Sequence, residues 1–90
     1  MDVVAHAGDL GPVSSFGLDR ELSSLTTAVR PRVIVDLTEA TQVHPAVVSV
    51  LIRHQRQAHR QGGELRLVPP TDPGARHTLD QVGIVGLTAV

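Results

Sequence analysis

Arg32-Val33-Ile34-Val35-Asp36-Leu37 and, further on, Gly62-Gly63-Glu64-Leu65-Arg66-Leu67-Val68 decide how this chain folds. The first stretch is a β-branched run without helical spacing, which reads as a central strand buried on both faces, as in a parallel sheet. The second is a glycine stop followed by an extended segment, Leu65 to Val68, which Pro69-Pro70 ends by removing backbone donors. Between them His44-Pro45 opens the longest helix, with proline in its first turn and Val47, Leu51, His54 and Ala58 on one stripe, up to the Gly62-Gly63 stop. Strand, helix, strand in that order predicts a βαβ crossover.

The flanking segments extend the same alternation. Val3 to Ala7 reads as a short strand that stops at a Gly8-Asp9 turn. Ser14 or Ser15 is placed to cap a helix whose apolar positions Leu18, Leu22, Leu25 and Val29 share a face and which ends before Pro31. Asp72 caps a third helix with Pro73 at its first position and Ala75, Leu79 and Val82 buried, before Gly83; Leu87 to Val90 reads as a last strand. The expectation is one α/β domain over residues 1–90, with a small, mainly parallel sheet. Because crossovers are right-handed in about 98% of cases, about three helices pack on one face. The other face is then thinly covered, which predicts a partner or a homodimer there.

Composition narrows the chemistry. The chain has 90 residues, 41% of them hydrophobic, one Phe and no Trp, Tyr or Cys, so its core is aliphatic and it offers no aromatic cage, disulfide or thiolate ligand. All eight basic residues are Arg, which removes lysine Schiff-base chemistry. A formal net charge of −1 and a single ring argue against nucleic-acid binding. No apolar run approaches the ~20 residues that span a bilayer, and no basic-then-apolar leader opens the chain, so no membrane insertion and a cytoplasmic location are expected.

Several residues together carry a family resemblance. Val33-Ile34-Val35-Asp36-Leu37-Thr38-Glu39-Ala40-Thr41 is similar to the central strand of the STAS domain, the module of bacterial anti-sigma-factor antagonists and of some transporter subunits. Arg53, Arg56 and Arg60 running into Gly62-Gly63 and the strand after it resemble the Arg-rich helix, glycine pair and strand of that family, and Val82-Gly83-Ile84 matches its helix ending. Gly8-Asp9-Leu10 stands where a Gly-Glu-Leu or Gly-Asp-Leu turn is common. Against the family the chain looks short at both termini.

The resemblance implies partner switching in transcription regulation, in which a kinase that doubles as the anti-sigma factor phosphorylates a Ser or Thr at the start of the second helix. A helix N-terminus suits that phosphate because its free N–H groups and dipole favour negative charge. Here the pattern departs: His44, Pro45, Ala46 and Val47 occupy the acceptor loop, and Ala46, at the acceptor position, has no hydroxyl. That is consistent with a permanently unmodified antagonist and equally with drift of a loop in a retained fold. Ser49 and Thr41 are the candidates for a displaced acceptor. The expected partner is an anti-sigma factor or serine-kinase-like protein, bound through the Thr41 to Val47 loop and the exposed flank of the helix, with Val48 and Ile52 as apolar contacts and Arg53, Arg56 and Arg60 at the rim. The alternative is an accessory subunit of an ABC-type lipid transporter.

The remaining motifs point to no catalysis and no cofactor. His54 and His59 lie about 140° apart on a helix, whereas a shared metal needs i, i+3 or i+4 spacing, so no metal site is expected. His54 reads as partly buried beside the sheet, His59 as solvated, His44 as a loop residue and His77 as exposed. No phosphate-cradling glycine pattern, nucleophile elbow or paired carboxylate is present. Asp36 ends a central strand, where open α/β sheets hold ligands, but fixing the following loop is its more economical role. A hydrolase built on His44 and Asp36 has no motif behind it.

Overall fold

The computed structural model describes residues 1–81. The strand expected at Leu87–Val90, and the Val82 and Gly83 end of the third helix, lie outside the described residues. The elements run β1 (Asp2–Ala5), β2 (Gly8–Leu10), α1 (Pro12–Thr26), β3 (Arg32–Asp36), β4 (Ala40–Val43), α2 (Pro45–Arg60), β5 (Glu64–Val68) and α3 (Pro73–Gln81). The protein is a small α/β structure in which every strand pair described is parallel.

β3 is central, in the order β1-β3-β5, with Val4 opposite Val35 and Val35 opposite Leu67. Its burial alternates: Val33 and Val35 are buried, while Ile34 is half-buried, so one face rather than both is packed. β5 repeats the pattern, with Leu65 and Leu67 inside and Arg66 exposed. On the outer face Val3 is 64% exposed. One face of the sheet thus carries the core and, among the described residues, the other is thinly covered, since successive side chains of a strand point to opposite faces.

β2 and β4 form a second, two-stranded parallel sheet where a turn and a loop were expected. Its origin is a shared corner: β1 and β3 both bend at their ends, and the pair continues as β2 and β4. The His6 N–H donates to Asp36 O, the Gly8 N–H to Glu39 O and the His44 N–H to Leu10 O, which carries the ladder around the corner. Gly8 sits at φ 77, where the register shifts, a backbone conformation that glycine adopts without a Cβ penalty. Strands of three and four residues give too few alternations for a sequence pattern to show.

α1 starts at Pro12 with Gly11 in the capping position, three residues before Ser14, and Ser15 Oγ donates back to Pro12 O. It also ends earlier. Thr26 and Thr27 turn their hydroxyls back onto Leu22 O and Ser23 O, and Arg30 adopts φ 51, so Val29 leaves the stripe and is 85% exposed. Leu18 and Leu22 are buried, and Leu25 packs against the core from its edge. α3 begins as expected, with Asp72 Oδ2 accepting from the Ala75 N–H at 3.0 Å.

The Gly62-Gly63 stop has two causes. Gly62 lies at φ 78, and a Cβ on Gly63 would overlap the backbone of Pro31. This close approach lets the Glu64 N–H reach Pro31 O at 2.8 Å and sets β5 beside β3.

Candidate interaction surface of the second helix

His44 caps α2. Its backbone is extended (φ −71, ψ 148) and its Nδ1 accepts from the Ala46 N–H at 3.1 Å, which requires Nδ1 to be the unprotonated ring nitrogen. Pro45 follows at the first helical position, where its missing N–H costs nothing. At the first turn, therefore, the side chain at 46 is a methyl group, and the N–H there is already bound by an imidazole. Ser49 is exposed one turn later, with its Oγ donating to Pro45 O at 3.2 Å. Thr41 lies in β4, not in a loop, and faces solvent.

Thr41, His44 and Pro45 line an open cleft of about 590 Å³ with Asp9, Asp72 and Thr78. The starts of α1, α2 and α3 border it, beyond the carboxyl ends of β2 and β4. Two aspartates on its wall oppose the attraction that those helix ends offer to anions. Among the described residues no group of three His, Asp or Glu side chains is placed to share a metal ion.

The flank of α2 differs from expectation at one position. Val48 is buried and belongs to the core, because α2 packs against both α1 and the sheet and its buried arc takes in Val48, Val50 and Gln55 beside the expected stripe. Val48 is therefore no partner contact. Ile52 is half-buried, and together with Ser49, Arg53, Arg56 and Arg60 it lines a single shallow groove of about 330 Å³. The three arginines and Ile52, chosen by spacing, stand on one surface.

Asp36 Oδ1 accepts from the Thr38 N–H at 2.9 Å and from the Thr38 hydroxyl at 2.7 Å, an Asx-type turn that fixes the corner between β3 and β4. The backbone N–H, then the hydroxyl, hold its carboxyl below the usual range.

A cluster beneath the groove escaped sequence reasoning. His54 is buried outright rather than partly, and both its ring nitrogens face α1: its Nδ1 is 3.0 Å from Thr26 Oγ1 and its Nε2 is 2.6 Å from Asp19 Oδ1. Arg53 also donates to Asp19 Oδ1. The Asp19 carboxyl is lowered by the His54 hydrogen bond first and by the Arg53 hydrogen bond next. The signal available in the sequence was the spacing of Asp19, Leu22 and Thr26 at i, i+3 and i+7, which puts two polar groups on the face that carries a buried leucine. His59 and His77 are exposed as expected, and His6 pairs with Glu21 at 2.9 Å.

No family model matches the chain, and no curated protein matches it. None of the helices described is long and apolar enough to cross a membrane.

Proposed function

We propose that this chain is a non-catalytic, STAS-like interaction module of the cytoplasm, which binds an anti-sigma factor or serine-kinase-like protein in transcription regulation and is not phosphorylated at the usual loop position. The observation that carries the reading is the groove on α2, where Ile52 and three arginines are gathered on one exposed flank. A half-buried aliphatic residue rimmed by Arg is the composition that protein interfaces favour. The start of the same helix supports the second half of the reading. Ala46 offers no acceptor oxygen, and the imidazole of His44 holds the first-turn N–H that a phosphate would otherwise use.

Affinity capture from the native cell, with the captured proteins identified and an Ile52→Asp chain run in parallel, tests this. Recovery of an ATPase-like anti-sigma factor by the native chain alone is the expected result. Incubating that partner and ATP with the native chain should leave it unmodified, whereas Ala46→Ser should gain a phosphoryl group. A transporter subunit in place of the kinase-like protein, or phosphorylation of the native chain at Ser49 or Thr41, would overturn the corresponding half.

A further inference from the structure

The α2 groove has a definite charge pattern. Ser49, Ile52, Arg53, Arg56 and Arg60 fall at i, i+3, i+4, i+7 and i+11, a continuous stripe along about 16 Å of helix axis. Among the described residues no carboxylate lines the groove. Asp19 engages Arg53 from the α1 side and shares its carboxylate with His54. Arg60 reaches only the neutral amide of Gln57, at 3.2 Å, and Arg56 has neither hydrogen bond nor ion pair among the described residues. Two guanidinium groups one turn apart are thus left without a counter-charge beside an aliphatic side chain.

The geometry points to an acidic amphipathic helix of a partner protein as the occupant of this groove. The inference takes from the proposed function only that α2 is the docking element, and it adds the chemistry of what docks. A helix laid along the stripe brings carboxylates spaced three or four residues apart to Arg56 and Arg60, while an aliphatic residue between them covers Ile52. Arg53, already held by Asp19, forms one wall with little ordering left to lose. A second copy presenting the same stripe would set arginine against arginine. Nucleic acid lacks the aliphatic anchor that Ile52 would meet, and α2 carries no Phe, Tyr or Trp side chain on which a base could stack.

The test uses the full chain and a fluorescent synthetic peptide, an amphipathic helix with Glu on one flank and Leu at i, i+3 and i+7, together with a twin in which every Glu is Lys. Binding of the Glu peptide that weakens with salt, falls about tenfold or more in an Arg56→Glu/Arg60→Glu chain and falls again in Ile52→Ser is the expected result. The charge-reversed chain should take up the Lys twin instead, a rescue that a misfolded variant could not give. Equal binding of the two peptides, binding untouched by the double reversal, no binding at millimolar peptide, or tighter binding of single-stranded DNA than of the Glu peptide would each overturn the inference. A kinase-like partner that still binds the doubly reversed chain would leave the proposed function standing and remove this groove from it. Peptide binding with the full charge dependence, but no kinase-like partner, would do the reverse.

Discussion

Asp19 joins the two helices through one oxygen, accepting from His54 and from Arg53. Removing the imidazole in His54→Ala takes one of two partners from the buried Thr26 hydroxyl, which keeps Leu22 O, frees Asp19 of one donor and opens a gap between α1 and α2. The expected loss is about 1–3 kcal/mol in urea unfolding, against less than about 0.5 kcal/mol for the exposed His59→Ala. Acid should act on the same site. Asp19 and Asp36 are both held below their ordinary value of 3.8 in the folded protein, so as pH falls the unfolded chain binds their protons first. Their stabilising contribution is complete above that ordinary value and is lost as pH drops through the lowered folded values. Urea midpoints measured between neutral pH and about pH 3 should therefore fall, and Asp19→Asn and Asp36→Asn should each flatten that fall. An unchanged slope in both variants would remove these carboxylates from the acid response. At this scale the sequence was partly legible: Asp36 at the end of a strand reads as a loop-fixing residue, and the structure supplies its partner, Thr38, two positions on. The spacing of Asp19 and Thr26 marks a polar face, but His54 stands 35 and 28 residues away from them, a separation that no local pattern bridges.

Among the elements, the second helix and the glycine pair after it respond most sharply to substitution. Gly63→Ala drives a methyl group into the Pro31 backbone where β5 meets β3, and should cost about 1–3 kcal/mol, read as a lower urea midpoint with an unchanged slope. Val48 and Ile52 are neighbours on α2 with opposite fates. Val48→Asp places a carboxylate in the core at a cost of several kcal/mol, enough to remove cooperative unfolding from a domain of this size. Ile52→Asp should keep a native circular dichroism spectrum and a cooperative transition. If the two variants behaved alike, the assignment of the flank would fail. The sequence placed α2 and its stop because proline, glycine and a helical stripe are local signals of different kinds that agree. It misjudged Val48, since a stripe drawn from one helix cannot show that α1 and the sheet both lean on it. The end of α1 escaped for a related reason: Leu25 and Val29 continue the period, but the helix ends at Thr26, between them, and Arg30 just beyond Val29 is left-handed.

At the scale of the whole molecule, the parallel β1-β3-β5 sheet leaves Val3, Ile34 and Arg66 on its less covered face. The homodimer expected there is measured by sedimentation equilibrium. A mass of two chains that drops to one with Ile34→Glu assigns the contact to this face, and a single-chain mass at every concentration removes it. By itself the sequence determined the alternation of strands and helices, the parallel sense of the central sheet, the aliphatic core and the flank on which Ile52 and the arginines gather. All of these follow from periodicity and from chain-breaking residues, which act over a few positions. Only the tertiary structure decided that the sheet turns a corner into β2 and β4, that Val48 faces inward and that His54 and Asp19 clasp α1 to α2. Each of these depends on which distant segment supplies the opposite surface, and burial is a property of two surfaces, of which a local sequence pattern describes one.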